Sequence, residues 1–368
     1  MKYLEYLRGY RGRPLRLMEV CGTHTAQIHK TGIPALLPPS IQLVSGPGCP
    51  VCVTVSAYID RLIALGMEEQ NRIVTFGDML RVPGSRMSLN EARAQGCSVR
   101  MVYSPMDTLK MAAKDPEHIY IFAAVGFETT APVYCMMIKR AKEQGITNLR
   151  LLTSLKVMPP AIDWICAHNQ QESMQGFQGN MQGFQGSMQG FQGSMQGFLA
   201  PGHVCVITGS RAFEGLAAKY GIPFVVAGFE GEQLLAAIAA LVKLQGQGRV
   251  VNMYPSAVTR EGNTLAQAEL ETYFEPCDAA WRGMGIIPGS GRKLRPEYAS
   301  FDAGSDELMA DDGGNPACRC AQVLMGRIRP QECPLFGTAC TPQSPQGACM
   351  VSMEGSCFNC WQAGGLTE

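Results

Sequence analysis

The sequence has no apolar run of eighteen residues, so it offers no segment that could span a bilayer as a helix. It has no excess of either charge. Lys and Arg number 31, as do Asp and Glu, and the balance leaves no net field to hold nucleic acid or an anionic membrane. No G-x-x-x-x-G-K-[ST] loop occurs, and no G-x-G-x-x-G follows the first expected strand, which speaks against a self-contained ATPase or a nicotinamide enzyme. The start of the chain is charged and broken by Gly9, Gly12 and Pro14, unlike a secretory leader. The expectation is a cytoplasmic protein without nucleic-acid or membrane partners.

Cysteine is what the sequence has in quantity, at fifteen in 368 residues. In a reducing compartment that many thiols point to metal or redox chemistry rather than to a disulfide scaffold. Seven of them, Cys318, Cys320, Cys333, Cys340, Cys349, Cys357 and Cys360, lie in a tail rich in proline and glycine. Such a tail has few apolar runs and needs a staple: disulfides, zinc or an iron–sulfur cluster. One four-cysteine reading is Cys320, Cys333, Cys340 and Cys357. Structural zinc sites usually use two C-x2-C pairs, and in the tail only Cys357 and Cys360 have that spacing. The wide spacing of the four favours a cluster, whose larger body can be reached from several loops.

Apolar strands alternate with longer helices along most of the chain, the signature of parallel α/β sheets. Strands are expected at 15–20, 41–45, 72–76, 99–103, 119–125, 149–154, 204–208 and 224–227. Helices are expected near 1–10, 22–30, 56–65, 130–144, 159–168, 211–219 and 231–244. Their number implies two α/β lobes in series, residues 1–115 and 116–255, followed by a cysteine-rich region, 256–368. A seven-residue repeat, Met174-Gln-Gly-Phe-Gln-Gly-Asn180 and its copies to Phe198, carries two glycines per unit. Each costs roughly 1 kcal/mol in a helix, so the repeat reads as a tandem expansion forming a flexible loop.

Three motifs fall at expected strand ends, where open α/β sheets place their chemistry. Cys21-Gly-Thr-His24-Thr pairs a thiol with an imidazole at a spacing of three, a soft donor set for a transition metal or a buried structural pair. Gly46-Pro-Gly-Cys49-Pro-Val-Cys52 places two thiols before a helix, where they can form a reversible disulfide or bind metal. Gly126-Phe-Glu128-Thr-Thr130 ends a strand and opens a helix. Its threonines read as caps and its carboxylate as either a dipole partner or a proton carrier. His203 sits in Pro201-Gly-His203. Cys97, Cys135, Cys166, Cys205 and Cys277 are isolated and read as small core residues. The glycine-rich Trp281–Arg292 stretch matches no phosphate loop.

Taken together these motifs, with Pro201-Gly-His-Val204 and Cys349-Met-Val-Ser-Met-Glu-Gly355, resemble the HypD family of nickel–iron hydrogenase maturation factors. The resemblance spans nearly the whole chain in order, and the repeats at 174–198 and Cys360 depart from it. It implies two similar Rossmann-like α/β lobes plus a C-terminal iron–sulfur domain. It implies a scaffold on which an iron centre carrying cyanide and carbon monoxide is assembled, with the small chaperone HypC, the cyanide donor HypE and, upstream of it, HypF. By the same resemblance Cys21 is a ligand of that transient iron. Cys49 and Cys52 are a redox dithiol, and Cys320, Cys333, Cys340 and Cys357 hold a 4Fe-4S cluster; His24 and Glu128 are expected as further catalytic residues. The alternatives are a thiol–disulfide oxidoreductase and a zinc-stapled interaction module.

Overall fold

The structure, a computed structural model, describes residues 2–179, 195–305 and 314–364. Its fold is α/β, built on two sheets. The strands are β1 (Leu15–Glu19), β2 (Ile41–Ser45), β3 (Asn71–Thr75), β4 (Val99–Met101), β5 (Ile119–Gly126), β6 (Leu149–Lys156), β7 (Gly197–Pro201), β8 (Phe224–Ala227), β9 (Val250–Asn252), β10 (Phe274–Trp281) and β11 (Gly285–Leu294).

The first sheet is parallel throughout, in the order β2-β1-β7-β8-β9. Its central strands β1, β7 and β8 are buried at every position, as continuous apolar runs must be when helices cover both faces. The helix Gly231–Lys243 supplies one cover through Leu234, Ala237, Ile238 and Leu241, all with no exposure. The second sheet runs β10-β11-β6-β5-β3-β4. Four strands are parallel, and the β10–β11 hairpin adds antiparallel to β6. The helix Ser56–Met67 is pinned to it by the Tyr58 hydroxyl, which donates to the Leu152 carbonyl at 2.8 Å.

Sheet membership cuts across residue 115. β3 precedes it yet pairs with β5, in the register Asn71↔Ile119, and carries β4 on its outer edge, while β7 to β9 follow it yet extend the sheet begun by β1 and β2. The chain leaves the first sheet after β2, builds most of the second, returns, and finally adds β10 and β11 to the second. Hydrophobic alternation marks strands but carries no information on which strand each will pair with.

Two local expectations differ from the structure. Residues 204–208 are not a strand. The strand is β7, and Gly202–Thr208 is a helix that begins after Pro201. The β-branched run there packs Val204 and Cys205 inward and leaves His203 outside, so burial on a helix face overrode strand propensity. The helix expected at 159–168 runs from Met158 to Gly179 and takes in the first six residues of the first repeat copy. The last copy enters β7, and the copies within 180–194 lie outside the described residues.

The glycine-rich 281–292 stretch is the β10–β11 hairpin. Gly283 has φ 69° at its turn, and a Cβ there would strike Ala321. A positive φ with no space for a side chain demands glycine. Among the described residues no helix is long and apolar enough to cross a membrane.

Candidate functional site

Residues from both sheets and from the cysteine-rich region pack into one cluster. Val20 after β1, Phe127 after β5, Phe198 and Ala200 on β7, Trp281 on β10, and Cys320, Cys333, Cys340, Cys349 and Cys357 share a single buried core. Phe127 stacks on Trp281 at 6.1 Å between ring centroids. The tail therefore builds no core of its own.

Cys21 stands at the N-cap of the helix Gly22–Lys30, directly after β1. Burial pushes its thiol up to about 12; the backbone N–H groups of His24 and Thr23 pull the other way, but Glu19 and Glu354 add to the rise. Glu19 is itself buried and pushed up to about 8 by burial. Its two oxygens accept from the Cys21 N–H at 3.2 Å and the Thr25 hydroxyl at 2.5 Å.

His24 lies two residues into the helix that Cys21 caps. Its Nε2 donates to the Gly228 carbonyl at 3.1 Å, and its ring lies 4.9 Å from that of Phe229, which stacks on His203 at 4.1 Å. Burial holds the imidazole down to about 4. Its Nδ1 is buried without a hydrogen-bond partner. Gly202 lies so close to the Ala227 carbonyl that a Cβ would overlap it, which is why Pro201-Gly202-His203 can bring this histidine over β8.

The Cys49–Cys52 pair is a disulfide whose Cα atoms are 5.2 Å apart, with both sulfurs buried. It is enclosed on two sides. On one, the Gly22 N–H donates to the Gly48 carbonyl at 3.0 Å, and a Cβ on Gly48 would overlap the Cys21 backbone nitrogen. On the other, Cys52 Sγ lies 4.0 Å from the Ala348 carbonyl oxygen, next to Cys349.

The tail thiols meet there. Cys318 and Cys320 are 3.3 Å apart, and Cys320, Cys349 and Cys357 hydrogen-bond among themselves. Cys340 accepts from the Gln346 N–H at 3.3 Å; its thiol is pushed up by burial, with Cys318 and Cys333 adding to the rise. A Cβ on Gly347 would collide with the sulfurs of both Cys318 and Cys320. Among the described residues no three His, Cys, Asp or Glu side chains are arranged around a single metal position. The donors themselves, soft buried thiols with a backbone N–H aimed at sulfur, fit an iron–sulfur cluster or zinc in chemistry. Because the sulfurs touch, they would have to spread to hold either. Cys360 stands elsewhere, in a cavity with Glu19, Thr25 and His29.

A family model named HypD, described as "Hydrogenase formation hypA family", matches residues 2–364. The chain belongs to the HypD family. It is 39% identical over 362 residues to the hydrogenase maturation factor HypD of Rhizobium leguminosarum bv. viciae, covering 97% of this chain and 90% of that one. It is 38% identical over 360 residues to the hydrogenase maturation factor HypD of Escherichia coli K12, covering 95% and 89%.

Glu128 follows β5, next to Phe127 of the shared core. Its Oε1 accepts from the Met158 N–H at 2.9 Å, and burial pushes its carboxyl up to about 7. Thr130 occupies the N-cap of the next helix without a side-chain capping bond. Glu128 and Cys21 both act on the Cys205 thiol, which is pushed up mainly by burial. Of the isolated cysteines, Cys97, Cys135, Cys166 and Cys205 are buried and Cys277 is half-buried.

Sequence reasoning singled out neither Glu19, Phe229 nor Glu354. Glu354 accepts from the Thr23 hydroxyl at 2.9 Å, and it reaches Cys21 across more than 300 residues of chain. Its signal was its place in Met353-Glu-Gly355, a tight acidic turn after Cys349. Glu19 and Phe229 read as ordinary strand-end residues, with nothing in their spacing to set them apart.

Proposed function

We propose that this chain, a hydrogenase maturation factor by family, is the scaffold on which the iron unit of the nickel–iron active site acquires cyanide and carbon monoxide. The observation that supports the reading is the position of the Cys49–Cys52 disulfide, between the backbone of Cys21 and the Ala348–Cys349 turn of the thiol-rich tail. In this reading iron is cargo. Cys21 is its ligand on this chain, with a second thiolate from the small chaperone HypC. HypE delivers cyanide, and HypF supplies the carbamoyl group upstream.

Strong-field ligands need an electron-rich metal, so assembly calls for electrons at the site. Reduced, Cys49 and Cys52 hold two electrons and two protons, and closing the disulfide releases both. Cys320, Cys333, Cys340 and Cys357 would hold a 4Fe-4S cluster, which supplies electrons one at a time. The burial of both dithiol sulfurs argues against exchange with general protein substrates, which need access to a sulfur. Around Cys21, Glu19 orients the backbone by accepting its N–H. A neutral His24 holds the Gly228 turn and, with Phe229, walls the cleft. A cytoplasmic location suits the many free thiols.

The test is iron, acid-labile sulfide and zinc per chain on anaerobically purified protein, followed by infrared spectroscopy of the complex with HypC. About four irons and four sulfides and cyanide bands that vanish in Cys21→Ala, with the tail iron retained, are the expected result. One zinc without sulfide would sink the electron-relay part. Cyanide bands that survive Cys21→Ala would sink the ligand assignment.

A further inference from the structure

A second cavity lies behind Glu128, and the scaffold reading makes no use of it. It measures about 140 Å³ and is lined by Glu128, Lys156, Thr208, Gln267, Glu271 and Arg292, among others. Its walls are the ends of β5 and β6, the edge of β11, and the helices Gly202–Thr208 and Thr264–Tyr273.

Most of its polar groups are already engaged. Lys156 Nζ donates to the Ala280 carbonyl at 2.6 Å. Gln267 Nε2 donates to the carbonyls of Ile207 at 2.6 Å and Glu261 at 2.7 Å. The Thr208 hydroxyl donates to the Val204 carbonyl at 3.1 Å. Besides the exposed Glu271 carboxylate, two groups are not engaged. Glu128 is 8% exposed, and its Oε2 has no hydrogen-bond partner. Buried polar atoms are paired in the great majority of cases, because an orphan forfeits its hydration. Arg292 lies on β11 opposite Leu155 and is half-buried. Among the described residues its guanidinium makes no hydrogen bond or ion pair, with Glu128 or with Glu271, although it is near enough to favour the ionised form of Glu128.

We propose that this cavity binds a small carboxylate or bicarbonate, held between the Arg292 guanidinium and the Glu128 carboxyl. The planar fork of a guanidinium matches a carboxylate or bicarbonate with two parallel hydrogen bonds. The other end of the ligand meets Glu128 Oε2, which donates when protonated and accepts from a ligand hydroxyl when ionised. Burial keeps that carboxyl partly protonated near neutrality. With Glu128 protonated, Lys156 and Arg292 face one carboxylate, the exposed Glu271, and that balance favours an anion. Size sets the class. A water needs on the order of 10–15 Å³ of such space, so the cavity takes a molecule of a few heavy atoms and excludes a nucleotide. The site borders the cleft, because Glu128 acts also on Cys205.

The test is calorimetric titration of the full chain with sodium formate, acetate and bicarbonate at constant ionic strength, with chloride as the control. Saturable binding of at least one of the three is expected. Arg292→Gln should weaken it by about tenfold or more, as for any lost charge-assisted pair. Leu270→Trp, which fills the cavity from the helix side, should abolish it. Melting curves check that both variants fold. Tighter bicarbonate would match the ligand hydroxyl to Glu128, and tighter formate would select the smaller carboxylate; either supports the site. No saturable binding of any of the three by the wild-type chain, or unchanged affinity in a folded Arg292→Gln, overturns it. The outcome is independent of the iron and infrared measurements, so this site and the scaffold reading can fail separately.

Discussion

The Thr23 hydroxyl donates to the Glu354 carboxylate at 2.9 Å, joining the turn after the first strand to the last segment of the chain. Gly22 beside it has no room for a side chain, since a Cβ would meet the Glu354 side chain. Thr23→Val keeps the shape and removes the donor. It should lower stability by about 1–2 kcal/mol, measured as the urea unfolding midpoint at unchanged slope. An unaltered midpoint would mean that the tail docks without this bond.

A Cβ on Gly48 would overlap the Cys21 backbone nitrogen, which cannot yield as a flexible side chain could. Gly48→Ala should therefore cost on the order of 1–3 kcal/mol. Gly215→Ala is the control, because a Cβ there meets nothing. Thermal melting of the two variants side by side checks this, and equal melting temperatures would refute it.

His24 is fully buried and held down to about 4 from the usual 6.5, chiefly by burial. Between those values the unfolded chain binds a proton that the folded chain refuses. Stability from this group is present above pH 6.5 and is lost as pH falls toward 4, by about 3 kcal/mol in all. Glu19 and Glu128 act with the opposite sign. Raised from 4.5 to about 8 and about 7, each contributes stability that is lost as pH rises. His24→Asn should thus reduce the acid-side loss to the part that comes from His29 and His203, which burial also holds down, and leave the alkaline-side loss intact. Urea unfolding at several pH values between 4.5 and 8 reads both slopes, and parallel curves for wild type and variant would contradict the assignment.

Cys360 stands apart from the other tail thiols, beside Arg329 and Gln331, with burial pushing it up to about 11. Cys360→Ala should leave the iron and sulfide content of the tail unchanged, whereas Cys320→Ala or Cys357→Ala should reduce it sharply. Iron and sulfide analysis of the three variants decides the matter. Loss of iron in Cys360→Ala would redraw the proposed ligand set.

Much of the fold was legible from local pattern. β2 and β8 occupy the residues expected of them, and β1, β3, β5 and β6 differ by a residue or two at their ends. The reason is physical: a strand buried on both faces must be a short continuous apolar run, and such runs are visible without a partner. Residues 204–208 misled because a β-branched run packs equally well on one face of a helix. The β10–β11 hairpin was missed because the glycine-rich 281–292 stretch invited comparison only with phosphate loops, and its turn glycines interrupt the alternation that marks strands.

The sequence by itself determined which residues stand at strand ends and which thiols are close in the chain, because both follow from patterns a few residues long. Only the tertiary structure decided which strands share a sheet, since pairing depends on partners far away in sequence. It decided that His24 donates to the Gly228 carbonyl, that Glu354 reaches the turn after β1, and that Cys349 joins Cys320 and Cys357 while Cys360 does not. Each of those contacts joins segments with no local reason to meet. They are held there by one shared core between two sheets and a tail too rich in glycine and proline to build a core alone.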